Sequence, residues 1–247
     1  MLSTVDGVFR PSADKTGIDR PWMRARPAVV VRTRTRSKAG QRARRVLNVI
    51  VAAIALILVS PVMAVIALLV KLTSPGPVLY KQQRVGIDRR TGSGGNWRRR
   101  VDYGGKLFTI YKFRTMYVRQ SEDQVWAKPG DPRITPVGAF LRKYRLDELP
   151  QLINVLRGDM NVVGPRPEQP EIFVQLRDQI DRYPERQRVL PGITGWAQVN
   201  QHYDRNLDDV KRKLSFDLEY AQKESAAEDM KIMLRTLPVM LFKSGSL

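Results

Sequence analysis

Asp147 and Glu148 stand side by side in RLDELPQLINVLRGDM, residues 145–160, with Arg142 and Arg145 close upstream and Arg166 downstream. Two carboxylates among guanidinium groups suit phosphate chemistry. An ionised acid can act as nucleophile or metal ligand, and arginine makes forked contacts with phosphate oxygens. The same stretch has a plainer reading: Leu146, Leu149, Leu152, Ile153 and Leu156 recur at helical spacing. Asp147 would then be the N-cap of a helix over 147–157, with Glu148 on its dipole and Pro150 in its first turn. The two readings are compatible, since a helix start presents unpaired N–H groups to a phosphate and keeps an aspartate there ionised, with a lowered pKa. Taken one at a time, the arginines read equally well as solvated surface charges.

The sequence has no cysteine and one histidine, His202. That excludes disulfides, thiol nucleophiles and Cys/His zinc sites; a metal would sit on carboxylates and phosphate oxygens, which suits Mg²⁺ or Mn²⁺. The net charge of +19 is unevenly placed: residues 1–45 carry +9, 46–70 none, 71–120 carry +10, and 121–247 balance. The excess flanks an uncharged stretch, and a basic block beside a hydrophobic segment meets anionic lipid at about 1 kcal/mol per Lys or Arg. A nucleic-acid arm is the alternative for the same charge; no nucleic acid is expected as partner.

The elements that must carry the acid pair follow from patterning. Residues 1–45 have too little apolar periodicity to pack and read as a disordered basic tail. Residues 46–70, VLNVIVAAIALILVSPVMAVIALLV, are apolar throughout; as a helix they reach about 37 Å, more than the roughly 30 Å hydrocarbon core. Basic residues on both sides pull both ends toward the cytoplasm, and Ser60-Pro61 breaks the run into halves each too short to cross. A re-entrant helix satisfies both features; a straight, kinked span is the alternative. Residues 78–86 and 106–116 alternate enough to pair as a hairpin around a Gly-rich basic loop, 87–105. Beyond residue 130 helical patterns dominate, over 136–145, 147–157, 168–188 and 205–224. The segment 230–242 reads as an interfacial amphipathic helix or a core helix. The fold class is therefore α+β and mostly helical, with a membrane helix (46–70) and a catalytic domain (71–247).

SPVMAVIALLVKLTSPGPVLYKQQRVG, FTIYKFRTM, DPRITPVGAFLRKYRLDELPQLINVLRGDMNVVGPRPE and VLPGITGWAQVN resemble the successive signatures of the bacterial monotopic phosphoglycosyl transferases, the polyprenyl-phosphate sugar-1-phosphate transferases. The likeness runs over about residues 44–242. It implies transfer of a sugar 1-phosphate from a nucleotide diphosphate sugar, usually a UDP-sugar, to undecaprenyl phosphate. This would take place at the cytoplasmic face of the inner membrane, as the first membrane step of exopolysaccharide, capsule or O-antigen synthesis. It makes Asp147 the nucleophile that releases UMP through an aspartyl phosphosugar, with Glu148 beside it and Mg²⁺ held between them. Lys112, Arg114, Arg142, Arg145 and Arg166 fall on the substrate side, and Ser60-Pro61 on the break of the re-entrant helix.

Gln201 and His202 stand where the family has Gly-Arg, and the 87–105 loop is longer than in minimal members. The four-helix membrane domain of large members is not expected in the tail. Two other readings remain open at this stage: a lipid-acceptor glycosyltransferase, which releases UDP, and a basic membrane-anchored binding protein without turnover.

Overall fold

The computed structural model describes residues 37–89, 103–118, 131–201 and 206–242. The tail before residue 37, the centre of the 87–105 loop and His202 lie outside these ranges. Within them the chain is mostly helical, with a small antiparallel sheet and one long apolar helix.

That helix, α1 (Lys38–Thr73), is capped by Ser37, whose hydroxyl accepts the Gly40 N–H at 3.1 Å. It starts well before the expected boundary at residue 46, so residues 38–45 are its first turns and not part of the tail. Pro61 lies inside it. Proline cannot donate to the carbonyl four residues back, and the Ser60 hydroxyl supplies that missing donor to Ile57 O at 2.8 Å. The Ser-Pro pair thus carries its own local repair, and the helix runs on.

Both halves of α1 pack on the same body. Before Pro61, Ala52 joins Phe108, Leu152 and Val155; beyond it, Ile66 and Val70 join Phe113 and Leu141. Asn48 accepts the Val162 N–H at 2.6 Å, and Arg45 donates to Val155 O and Leu156 O at 2.6 and 2.8 Å. The other face is apolar and open: Ile57, Leu58 and Leu72 are 71, 72 and 73% exposed, and Ile50, Ile54, Val65 and Leu68 line up with them. Removing such a stripe from water is worth on the order of 10 kcal/mol, which makes lipid its natural surroundings.

The expected hairpin is present. β1 (Leu79–Val85) and β2 (Leu107–Phe113) run antiparallel, paired from Leu79↔Phe113 to Val85↔Leu107. A second, parallel pair was not legible in the sequence: β3 (Asn161–Val163) and β4 (Gly192–Thr194) have three residues each, too few for a strand period to register. The helices are α2 (Pro136–Lys143), α3 (Gln151–Arg157), α4 (Pro170–Gln179), α5 (Trp196–Asn200), α6 (Leu207–Lys223) and α7 (Ala226–Phe242).

The single helix expected over 168–188 is two elements. It breaks at Ile180, the chain turns through Arg182 with φ 64°, and a 3-10 segment follows at Tyr183–Arg188. Pro184 explains the break, because it cannot donate to Ile180 O. In helix α7 Ile232 and Asp229 are fully buried, while Met230 and Leu234 are exposed.

Candidate active site

The site is assembled where β2, α2 and α3 converge. Strand β2 delivers Lys112 from its exit end, and the fully buried Asn154 side chain locks that strand to α3. Its amide donates to Thr109 O at 2.7 Å and its oxygen accepts the Tyr111 N–H at 3.2 Å, so the strand edge is paired by one side chain. Helix α2 begins at the Thr135 cap, whose hydroxyl accepts the Gly138 N–H at 2.8 Å. Gly138 lies directly on the Thr115 backbone, where any Cβ would collide. That close approach sets Arg142 Nε on Thr115 Oγ1 at 2.8 Å.

After α2 the chain reverses through Arg145, a non-glycine residue with φ 54°, and enters a 3-10 turn at Leu146–Glu148. The reversal turns both acids inward: Asp147 is 8% exposed and Glu148 6%. Backbone held in this region costs of order 1 kcal/mol and persists only where surrounding contacts over-determine it. Asp147 is therefore not the cap of a helix. Helix α3 starts at Gln151 behind Pro150, and its C-terminus stops at Gly158, φ 85°. Proline at the head of α3 leaves the acids in the tighter turn before it.

The two carboxylates have different surroundings. Glu148 Oε1 accepts from Lys112 Nζ at 2.7 Å and Arg166 Nη2 at 2.6 Å; its Oε2 accepts from Arg166 Nη1 at 3.3 Å, with Arg145 Nη1 at 3.9 Å. Burial would raise this carboxyl, but Arg166 and Lys112 outweigh it and hold it well below its ordinary value. Asp147 is pushed the other way, by burial first and then by the charge of Glu148, against the pull of Lys112, Arg166 and Arg142. The depressed pKa expected at Asp147 thus belongs to its neighbour, because the bonds that stabilise an anion are spent on Glu148. Burial also lowers the Lys112 ammonium, opposed by Glu148, whereas the Glu148 charge raises Arg166. Among the described residues none hydrogen-bonds to the Asp147 carboxylate.

Lys112, Arg142, Arg145 and Arg166 are therefore gathered around the acid pair as expected. Arg114 is not. It is buried, donating to Pro75 O at 2.7 Å, to Ser74 O and Oγ at 2.7 and 2.9 Å, and to Val70 O at 3.3 Å. Its charge closes the C-terminus of α1, where a cation suits the helix dipole and the last carbonyls lack partners. The end of the strand explains the difference: a period of two would put Arg114 on the face of Lys112, but the chain has left β2 after Phe113. Sequence reasoning missed Asn154, which lies off the apolar stripe of Leu149, Leu152, Ile153 and Leu156 and so reads as a solvated residue, yet is buried.

As for a metal, no group of three carboxylate or histidine side chains stands together among the described residues. Mg²⁺ is commonly held by one or two carboxylates together with substrate phosphate oxygens, so the carboxylates of the successive residues Asp147 and Glu148 fit that ion as part of a site the substrate completes.

The bacterial sugar transferase family matches residues 39–243, a range that includes all but the first residue of α1, the acid pair and α7. The chain belongs to that family. Among its relatives, a UDP-glucose:undecaprenyl-phosphate glucose-1-phosphate transferase of Escherichia coli strain K12 is 42% identical over 78% of this chain and 39% of that protein. A UDP-N-acetylgalactosamine-undecaprenyl-phosphate N-acetylgalactosaminephosphotransferase of Aeromonas hydrophila is 40% identical over 82% of the chain and 44% of its own length. A UDP-glucose:undecaprenyl-phosphate glucose-1-phosphate transferase of Caulobacter vibrioides is 39% identical over 80% of the chain and 69% of its length. The chain thus spans less than half of two of these sugar transferases. The Gln201 that departs from the family pattern donates to Asp209 O at 2.8 Å, tying the end of α5 to the first turn of α6.

Proposed function

We propose that the protein transfers a sugar 1-phosphate from a UDP-sugar to undecaprenyl phosphate at the cytoplasmic face of the inner membrane, through an aspartyl phosphosugar on Asp147. The observation that carries this reading is the asymmetry of the acid pair. Glu148 is clamped by Lys112 and Arg166, while Asp147 faces the same cations without a hydrogen bond of its own among the described residues. A carboxylate with a raised pKa is the more basic and more nucleophilic of the two, and Glu148 is bound too firmly to attack.

In this mechanism an Asp147 oxygen attacks the β-phosphorus of the donor, the bond from that phosphorus to the bridging oxygen breaks, and UMP leaves with the electron pair. A phosphate oxygen of undecaprenyl phosphate then attacks the same phosphorus and releases Asp147. Arg166 and Lys112 carry positive charge toward the oxygens that gain electrons, and Arg142 flanks the attacking carboxylate. Glu148 holds these cations in register. Mg²⁺, held by the pair with the donor's phosphates, would neutralise the diphosphate and stabilise departing UMP. Splitting the transfer lets a soluble donor leave before a lipid acceptor enters one small site.

The membrane face supports the placement. Both halves of α1 pack on the body that holds the site, so a bilayer along its open stripe leaves that body on one side. This favours a monotopic arrangement over a straight span. The experiment is an assay of purified protein with undecaprenyl phosphate and a panel of UDP-sugars, glucose and N-acetylgalactosamine among them, with and without a chelator. UMP as the nucleotide product is expected. UDP would show transfer of the sugar alone, and absence of any turnover would leave a lipid-bound binding protein.

A further inference from the structure

Arg166 sits between Pro165 and Pro167, which offer carbonyls but no N–H groups, so the segment cannot brace itself with a local ladder. Its carbonyls are held from outside, one by one. The Gly192 N–H donates to Pro165 O at 3.0 Å, Arg186 Nη2 to Arg166 O at 2.9 Å, Arg84 Nη1 to Pro167 O at 3.1 Å, and the Val85 N–H to Glu168 O at 2.9 Å. Strand backbone supplies the outer two donors; the donor on Arg166 itself is a side chain 20 residues away.

Arg186 is 1% exposed, among the most deeply buried charges described. Its Nε and Nη2 reach Asp217 Oδ2 at 2.9 and 2.7 Å, and its Nη1 reaches Glu168 Oε1 at 3.1 Å and the Tyr183 hydroxyl at 2.9 Å. Lys213 Nζ adds a contact to Glu168 Oε1 at 2.8 Å. A buried charge network of this kind often contributes no more stability than apolar residues of the same volume. Stability is therefore a poor account of it, whereas orientation is a good one: α6, the 3-10 segment and the Arg166 peptide all meet at one guanidinium.

We propose that Arg186 is a positioning residue for the reaction, holding the Arg166 carbonyl and the Glu168 carboxylate together so that the Arg166 guanidinium is aimed at Glu148 and at the donor's diphosphate. The inference rests on the reading of the Asp147–Glu148 centre given above. The aimed contact is the forked one from Arg166 to Glu148, at 2.6 and 3.3 Å. Lysine at 186 would keep the charge but not the planar fork that serves two carboxylates and a carbonyl at once.

The test is a double-mutant cycle in the full-length protein, with Arg186→Lys, Arg166→Gln and the pair, scored by UMP release and by the separate kcat and KM for the UDP-sugar. Arg186→Lys is expected to lower kcat/KM by about tenfold in the native background and by less than about twofold once Arg166 is gone, the mark of a contact acting through its neighbour. Hydrogen exchange at the Gly164 amide and at the Gly192 and Val85 amides that donate onto this segment should quicken while α3 keeps its protection. Equal losses in both backgrounds, or unchanged exchange at Gly164, Gly192 and Val85, would overturn the proposal. If Arg186→Lys does not fold, Asp217→Asn, which leaves the guanidinium in place and loosens its anchor on α6, gives the same cycle with a smaller loss. If the wild type releases no UMP from any UDP-sugar, the reaction itself is wrong. Exchange at Gly164, Gly192 and Val85, together with inorganic pyrophosphate binding that weakens in Arg186→Lys only when Arg166 is present, then still decides the role of Arg186.

Discussion

Replacing Glu148 by glutamine separates the two acids experimentally, because it removes the clamped charge and leaves the shape. Three cations face that carboxylate: Lys112 at 2.7 Å, Arg166 at 2.6 Å and Arg145 at 3.9 Å. They do not lose equally. The Arg166 and Arg145 side chains are 35 and 36% exposed and can turn to water, whereas Lys112 is 16% exposed and is left as a poorly solvated charge. Breaking a buried pair by removing one partner costs about 3–5 kcal/mol, and a glutamine oxygen still accepts one bond, so a loss of roughly 2–3 kcal/mol is expected. In a chain of this size that lowers Tm by about 4–12 °C. The sign of the pH dependence follows from the depressed carboxyl. Its stabilisation is fully present above the ordinary value of 4.5 and disappears as pH falls through the lower folded value, so wild type and variant should converge in acid. A second consequence concerns Asp147, whose pKa is raised by burial and by the Glu148 charge. With that charge gone, the acid limb of the pH–rate profile for UMP release should move to lower pH. Loss of the charge that holds Lys112 and Arg166 in register should reduce turnover by about 10²- to 10³-fold. The assays are thermal unfolding over a pH series and initial rates of UMP formation in the same buffers. A Glu148→Gln protein as stable as wild type at neutral pH, or an acid limb displaced upward, would refute the assignment of the clamp to Glu148.

Arg114→Met should cost on the order of 3–5 kcal/mol, since it strips charged donors from the last carbonyls of α1, and it should expose the Ser74–Pro77 segment to protease; unchanged resistance would mean that the helix end is held by other contacts. The chain has no native cysteine, so Gly40→Cys and Lys71→Cys can each be probed alone with a membrane-impermeant maleimide. Both should be labelled only from the cytoplasmic side, and exclusive labelling of position 40 from outside would establish a straight span.

The elements that were legible in the sequence are those whose period is long enough to repeat. The hairpin showed in alternating residues of 78–86 and 106–116, the apolar helix in its 25 uncharged residues, and the acid pair in its setting of arginines. What escaped was set by tertiary contact. Arg145 in the left-handed region moves Asp147 from a helix cap to a buried turn, and nothing in the sequence marks a non-glycine residue for that conformation. Arg114 and Lys112 both read as substrate-side cations, yet one closes a helix and the other meets Glu148, because the chain leaves β2 between them. The strands at 161–163 and 192–194 each need the other to exist. In the sequence Arg186 is one charge among Arg182, Glu185 and Arg188, and only the fold brings Asp217 of α6 to it.

The most direct test of the account is the mass of the protein after incubation with a UDP-sugar and Mg²⁺ in the absence of lipid. Rapid acid quench and intact-protein mass spectrometry should show one added sugar-phosphate, located by digestion to a peptide containing Asp147, with UMP formed in equal amount. Asp147→Asn should give neither. If no adduct forms and UMP appears only when undecaprenyl phosphate is present, the acceptor attacks the donor directly and Asp147 is not the nucleophile.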